Sequence, residues 1–204
     1  MSVVSTSRLE AFSDGVIAIA ITLLVLDLKV PDVNAGPLGP ALRTQWPAYL
    51  GYATSFVTIG IMWVNHHSLF DRITRVDRGL LFTNLGLLLG IATLPFTTSL
   101  AARWLRAGTD GRVAVVVYCA SLGLVSATFV ALWTYLARRP DLLSDGNQQV
   151  PAIARRRSLV GPIAYTIAAG IAALSAQAGF AACALVAAYF IRPHRPQPTH
   201  KELT

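Results

Sequence analysis

The chain has 204 residues, 54% of them hydrophobic and only 13% charged, with a mean hydropathy of +0.54. Soluble domains carry about 25% charged residues, so a soluble enzyme or nucleic-acid-binding domain is excluded despite the net charge of +7. Apolar runs of about 20 residues recur along the whole length, the measure of a membrane-spanning helix, and the chain reads as an all-α polytopic membrane protein.

The first predicted span covers about 12–30 and ends at Pro31 and a Gly/Pro/Asn-rich loop. No basic n-region precedes it and no small-residue cleavage site follows, so it is expected to stay in the protein. The second covers about 47–70, with Pro47 in its first turn. The third, about 80–104, contains Pro95, which removes one backbone hydrogen bond and favours a kink. The fourth covers about 113–136 and precedes a polar, Pro-punctuated loop rich in arginine. The apolar stretch 158–191 is one long helix or a hairpin turning near "SAQAG" at 175–179.

Charge placement arbitrates. With spans at 158–175 and 178–191, the N-terminus, the 71–79 and 137–157 loops and the tail carry 12 Lys/Arg, against 5 on the other side. That bias satisfies the positive-inside rule with both termini cytoplasmic. Six spans in one domain, 1–204, followed by a disordered basic tail at 192–204, are the expected organisation. Cys119 and Cys183 lie inside apolar runs and give no disulfide framework.

The opening span begins with "RLEAFSD", residues 8–14. A carboxylate at membrane depth costs on the order of 3 kcal/mol and has to be paired or wetted. Arg8 stands six residues before Asp14, the wrong spacing for a pair on one helix face. Asp14 is therefore expected to meet another helix, and "WVNHH" (Trp63, Asn65, His66, His67) together with Asn84 lie at matching depth. A network of Arg8, Ser13 and Asp14 with these groups would clamp the first helix. The plainer reading is helix capping and interfacial anchoring.

At about 100° per residue, Ile19, Thr22, Leu23 and Leu26 share one stripe, and Asp14 lies about 140° from Ile19. Adjacent His66 and His67 point about 100° apart and do not share one ion, so no metal site is expected. Asp27 and Asp32 read first as interfacial charges and second as a means of concentrating cations at the outer end. There is no nucleophile–base pair, phosphate loop or cofactor box, and neither an enzyme nor a bound cofactor is expected.

The pattern Arg8, Phe12, Ser13, Asp14 ahead of an apolar helix resembles the signature of the transmembrane-protein-175 family, the endolysosomal potassium channels of animals and their single-repeat prokaryotic relatives. "WVNHHSLF" at 63–70, Asn84 and "LPFTTSL" at 94–100 resemble its second and third helices, and the likeness weakens after about residue 105. The resemblance implies a homotetramer of six-helix subunits in the plasma membrane, in contact with membrane lipid, with the first helix lining the pore. It implies a constriction at Ile19, further layers at Leu23 and Leu26, and a hydroxyl at Thr22 that favours the permeant potassium ion. It also implies that the motif's polar groups link to the Trp, His and Asn positions of neighbouring helices.

The expected function is a passive, potassium-permeable cation channel with modest preference over sodium, gated by dewetting at the aliphatic ring. The alternative is a proton-coupled transporter or proton channel that uses Asp14 and His66/His67 as a relay.

Overall fold

The computed structural model describes residues 5–144 and 156–191. The expected tail at 192–204 and most of the second arginine-rich loop lie outside the described residues. Among the described residues, seven α-helices follow in order: α1 Thr6–Leu23, α2 Leu38–Thr44, α3 Trp46–Phe70, α4 Arg78–Trp104, α5 Thr109–Arg138, α6 Val160–Leu174 and α7 Ala176–Ile191. Among the described residues, four segments are long and apolar enough to cross a membrane: Thr6–Asp27, Arg78–Trp104, Thr109–Arg138 and Arg156–Leu174. Ala176–Ile191 is apolar but shorter, and α3 has the length but carries Asn65, His66 and His67.

The first helix differs from the expected 12–30. It begins at Thr6, because nothing between Thr6 and Phe12 breaks a helix, and its α-helical part stops at Leu23. Leu24–Asp27 then tighten into a 3-10 turn. In that geometry residues three apart eclipse, so Leu26 stands over Leu23 instead of rotating about 60° past it. The stripe survives the change of helix type.

Packing runs outward from the centre of the bundle. α1 lies on α3 and α4, α4 on α5, and α5 on α6 and α7, while α7 returns to α3. Leu9, Ser13, Ile17 and Ala20 form the buried face of α1, at spacings of four, four and three. The stretch 158–191 folds as a hairpin: Ser175 leaves the helix with an extended ψ of 116°, and α6 and α7 pack on one another. A Cβ on Gly179 would sit 2.5 Å from Ala172 Cα, so glycine is what allows the two helices to come this close. Gly90 and Gly161 also face close neighbours, whereas Gly86 and Gly170 have none within 4 Å.

Two polar assemblies hold the ends and middle. Ser55 of α3 bonds both Thr98 of α4 (2.7 Å) and Tyr118 of α5 (2.9 Å) inside the bundle. At the loop between α3 and α4, Asp77 caps α4 by accepting from Leu80 N, and it also receives Tyr135 Oη and Arg139 Nη1. Burial pushes the Asp77 carboxyl up, but these three donors outweigh it and hold it below the ordinary carboxylate range. Ile73 and Leu143 form an antiparallel bridge beside this cluster. Cys119 of α5 and Cys183 of α7 are buried free thiols with sulfurs 3.1 Å apart, a contact between distant helices that sequence spacing does not reveal.

Candidate functional site: the clamped first helix and its exposed stripe

Three helices meet at Ser13. Its hydroxyl donates to Leu9 O (2.9 Å), the back-bond a serine makes within a helix. With that hydrogen spent, Ser13 Oγ accepts from Asn84 Nδ2 of α4 at 2.9 Å. Asn84 Oδ1 in turn accepts from His66 Nε2 of α3, also at 2.9 Å. The direction of every bond in this chain is thereby fixed, and His66 carries its hydrogen on Nε2. All three side chains are fully buried. His66 Nδ1 has no hydrogen-bond partner among the described residues, and its ring stacks on Phe70 at 4.2 Å.

A second, more exposed set joins α1 to α3 alone. Trp63 Nε1 donates to Asp14 Oδ1 at 2.9 Å, so the intramembrane carboxylate has its partner on another helix. His67 Nδ1 meets Glu10 Oε1 at 3.0 Å, and Trp63 stacks on His67. Glu10 did not stand out in the sequence, because an acid in the second turn of a helix reads as ordinary helix polarity. The signal that points to it is its spacing: Glu10 and Asp14 are four apart and share a face of α1.

Arg8, Phe12 and Asn65 are not brought into either set. All three are exposed on the chain, and no side-chain hydrogen bond or ion pair joins Arg8 or Asn65 to another group among the described residues. Asp27 sits at the far end of α1 with partners on α4. It accepts from Ser99 at 2.6 Å and lies 3.6 Å from Arg103, so it ties the 3-10 end of α1 to α4. Asp32 caps its own turn by accepting from Asn34 N.

The stripe faces away from all of this. Ile19, Leu23 and Leu26 are 60%, 43% and 63% exposed, while Ile17, Ala20 and Leu24 on the other side are buried. Thr22 is exposed within the stripe, and its hydroxyl donates to Ile19 O at 2.9 Å. Its hydrogen is thus occupied by the backbone. The helix is held at both ends by neighbouring helices of the chain and presents an apolar, hydroxyl-bearing face with no partner among the described residues.

An all-helical bundle of several apolar, membrane-length helices with polar clamps between them is a multi-pass membrane protein. Residues 8–95 match the family model described as the endosomal/lysosomal potassium channel TMEM175. A potassium channel of Streptomyces collinus is 43% identical over 199 residues, covering 96% of each chain. The crystal structure of a lysosomal potassium-selective channel TMEM175 homolog from Chamaesiphon minutus superposes with a TM-score of 0.81 at 37% identity, over 91% of this chain and 96% of that one. The endosomal/lysosomal proton channel TMEM175 of Gallus gallus is 39% identical over 139 residues, covering 64% of this chain and 28% of the relative. This chain belongs to the TMEM175 family.

Proposed function

We propose that the protein is a potassium-permeable cation channel of the plasma membrane, assembled as a homotetramer of six-span subunits with both termini cytoplasmic. The six spans are α1, α3, α4, α5, α6 and α7. α1 lines the pore, Ile19, Leu23 and Leu26 form the constriction, and Thr22 adds a ring of hydroxyl oxygens beside it.

The observation that carries this reading is the division of α1 into a clamped face and an unpartnered one. An aliphatic ring offers no ligands to a cation, so it stops conduction by excluding water when narrow and admits hydrated ions when slightly widened. Selectivity on this mechanism is modest and comes from the hydroxyl oxygen of Thr22, whose hydrogen stays on the backbone. Kinship with channels named for potassium supports a pore-facing stripe over a lipid-facing one.

Purified protein in liposomes should release potassium down its gradient faster than sodium, without a requirement for a proton gradient. Flux that appears only when protons are coupled, or proton current without potassium current, favours the relay reading built on Asp14, His66 and His67. The buried His66 is tied into the Asn84 chain, which supports a structural role for it.

A further inference from the structure

Where α1 begins and α3 ends, Glu10, His67 and Asp71 come together, although they play no part in the proposed conduction path. Glu10 Oε1 lies 3.0 Å from His67 Nδ1, and Asp71 Oδ1 lies 3.9 Å from His67 Nε2. One donor atom from each residue falls within 4.8 Å of the others. His67 and Asp71 are four residues apart, the spacing that sets two ligands on one helix face. Asp71 is just past α3, but its backbone N–H still bonds His67 O at 3.0 Å, so the helical register carries through to it.

We propose that Glu10, His67 and Asp71 form a binding site for a transition-metal dication, zinc foremost. One imidazole nitrogen and two carboxylates suit zinc better than the all-oxygen shells of magnesium or calcium. Zinc takes such ligands at about 2.0–2.2 Å, which sets donor atoms about 3.4 Å apart in a tetrahedron. The present spacing reaches that by rotating side chains that are all partly exposed, Glu10 least at 27%, with no helix displaced. Water completes the fourth position. His66, adjacent in sequence, is excluded from this role because it is buried and committed to Asn84.

A metal here bridges the first turns of α1 to the last of α3. On the channel reading above, and resting on it, zinc fixes the end of the pore-lining helix and lowers conduction. The binding itself does not depend on that reading.

The test is isothermal titration of the purified full-length protein with zinc chloride at pH 7.5, for wild type and for Glu10→Gln, His67→Gln and Asp71→Asn. We expect one zinc per subunit in wild type and affinity at least about tenfold weaker in each variant. Asp71 is exposed beyond the helix end, so Asp71→Asn keeps the test decisive should either other variant fail to fold. No zinc binding by wild type, or binding unaltered in the variants that fold, overturns the site. Potassium flux in liposomes is then measured with and without zinc. Flux that falls in wild type and not in Asp71→Asn is the expected result, and zinc bound without effect on flux overturns the clamp on α1. Absence of flux under all conditions defeats the channel reading and leaves the titration result standing.

Discussion

Asn84 donates to Ser13 Oγ across 2.9 Å while its own carbonyl accepts from His66, so one buried amide joins α4 to α1 and α3. Each of the three groups is placed by a different helix, and none has water to fall back on. Removing the amide strands two partners at once.

Asn84→Leu should therefore destabilise the protein by about 1–2 kcal/mol. Stranded buried groups cost about 1–3 kcal/mol in soluble proteins, while interhelical bonds in a bilayer average about 0.6, which pulls the expectation down. Thermal unfolding of the purified protein checks it; an unchanged midpoint would show that the chain of bonds contributes nothing net.

The Trp63–Asp14 bond lends itself to a graded test. Trp63→Phe keeps an aromatic ring and removes the donor, at a cost of about 1 kcal/mol. Asp14→Asn keeps an acceptor oxygen and should cost less than Asp14→Leu. Equal costs for the two neutral variants, or a larger cost for Asp14→Asn, would show that the retained acceptor contributes nothing.

Close packing at Gly179 predicts a contrast between two glycines of the hairpin. Gly179→Ala drives a methyl into the backbone of α6 and should cost about 1–3 kcal/mol. Gly170→Ala meets open space and should be neutral or stabilising by up to about 1 kcal/mol. Equal midpoints for the two variants would contradict the tight α6–α7 contact.

Acid should loosen the loop cluster. The Asp77 carboxyl is held below its ordinary range, so its contribution is fully present above the unfolded value of about 3.9 and is lost as pH falls through the lower folded value. The unfolding midpoint of wild type should drop below about pH 4, and Asp77→Asn should be less stable at neutral pH with a shallower acid dependence. Parallel pH profiles for the two would remove Asp77 from the account.

Selectivity is assigned to a single hydroxyl. Thr22→Ala should move the reversal potential toward equal potassium and sodium permeability while leaving conductance close to wild type. An unaltered reversal potential would discount the hydroxyl ring.

The residues that clamp α1 were partly legible before the fold. An aspartate inside an apolar run has to find a partner, and the polar groups of the next helix are where Trp63 was found. The exchange through Asn84 needs three helices in register, and no periodicity within one helix encodes that. The 3-10 end of α1 was not legible either: "LVLD" contains no Gly or Pro, and the turn tightens where Asp27 is drawn to Ser99 and Arg103. The short α2 hid among Pro and Gly residues that read as loop. The hairpin at Ser175 was visible only through loop charges, because the break carries no proline and the glycine that permits it, Gly179, acts through its missing side chain four residues later.

The central claim is that the exposed stripe of α1 is the constriction of a cation pore, and planar-bilayer recording of wild type beside Ile19→Asn under a potassium/sodium gradient tests it most directly. The account predicts potassium-favouring unitary currents in wild type, and in Ile19→Asn larger or longer openings with weakened preference for potassium, as a polar ring wets the narrowest point. Wild-type currents that Ile19→Asn leaves unchanged would contradict it.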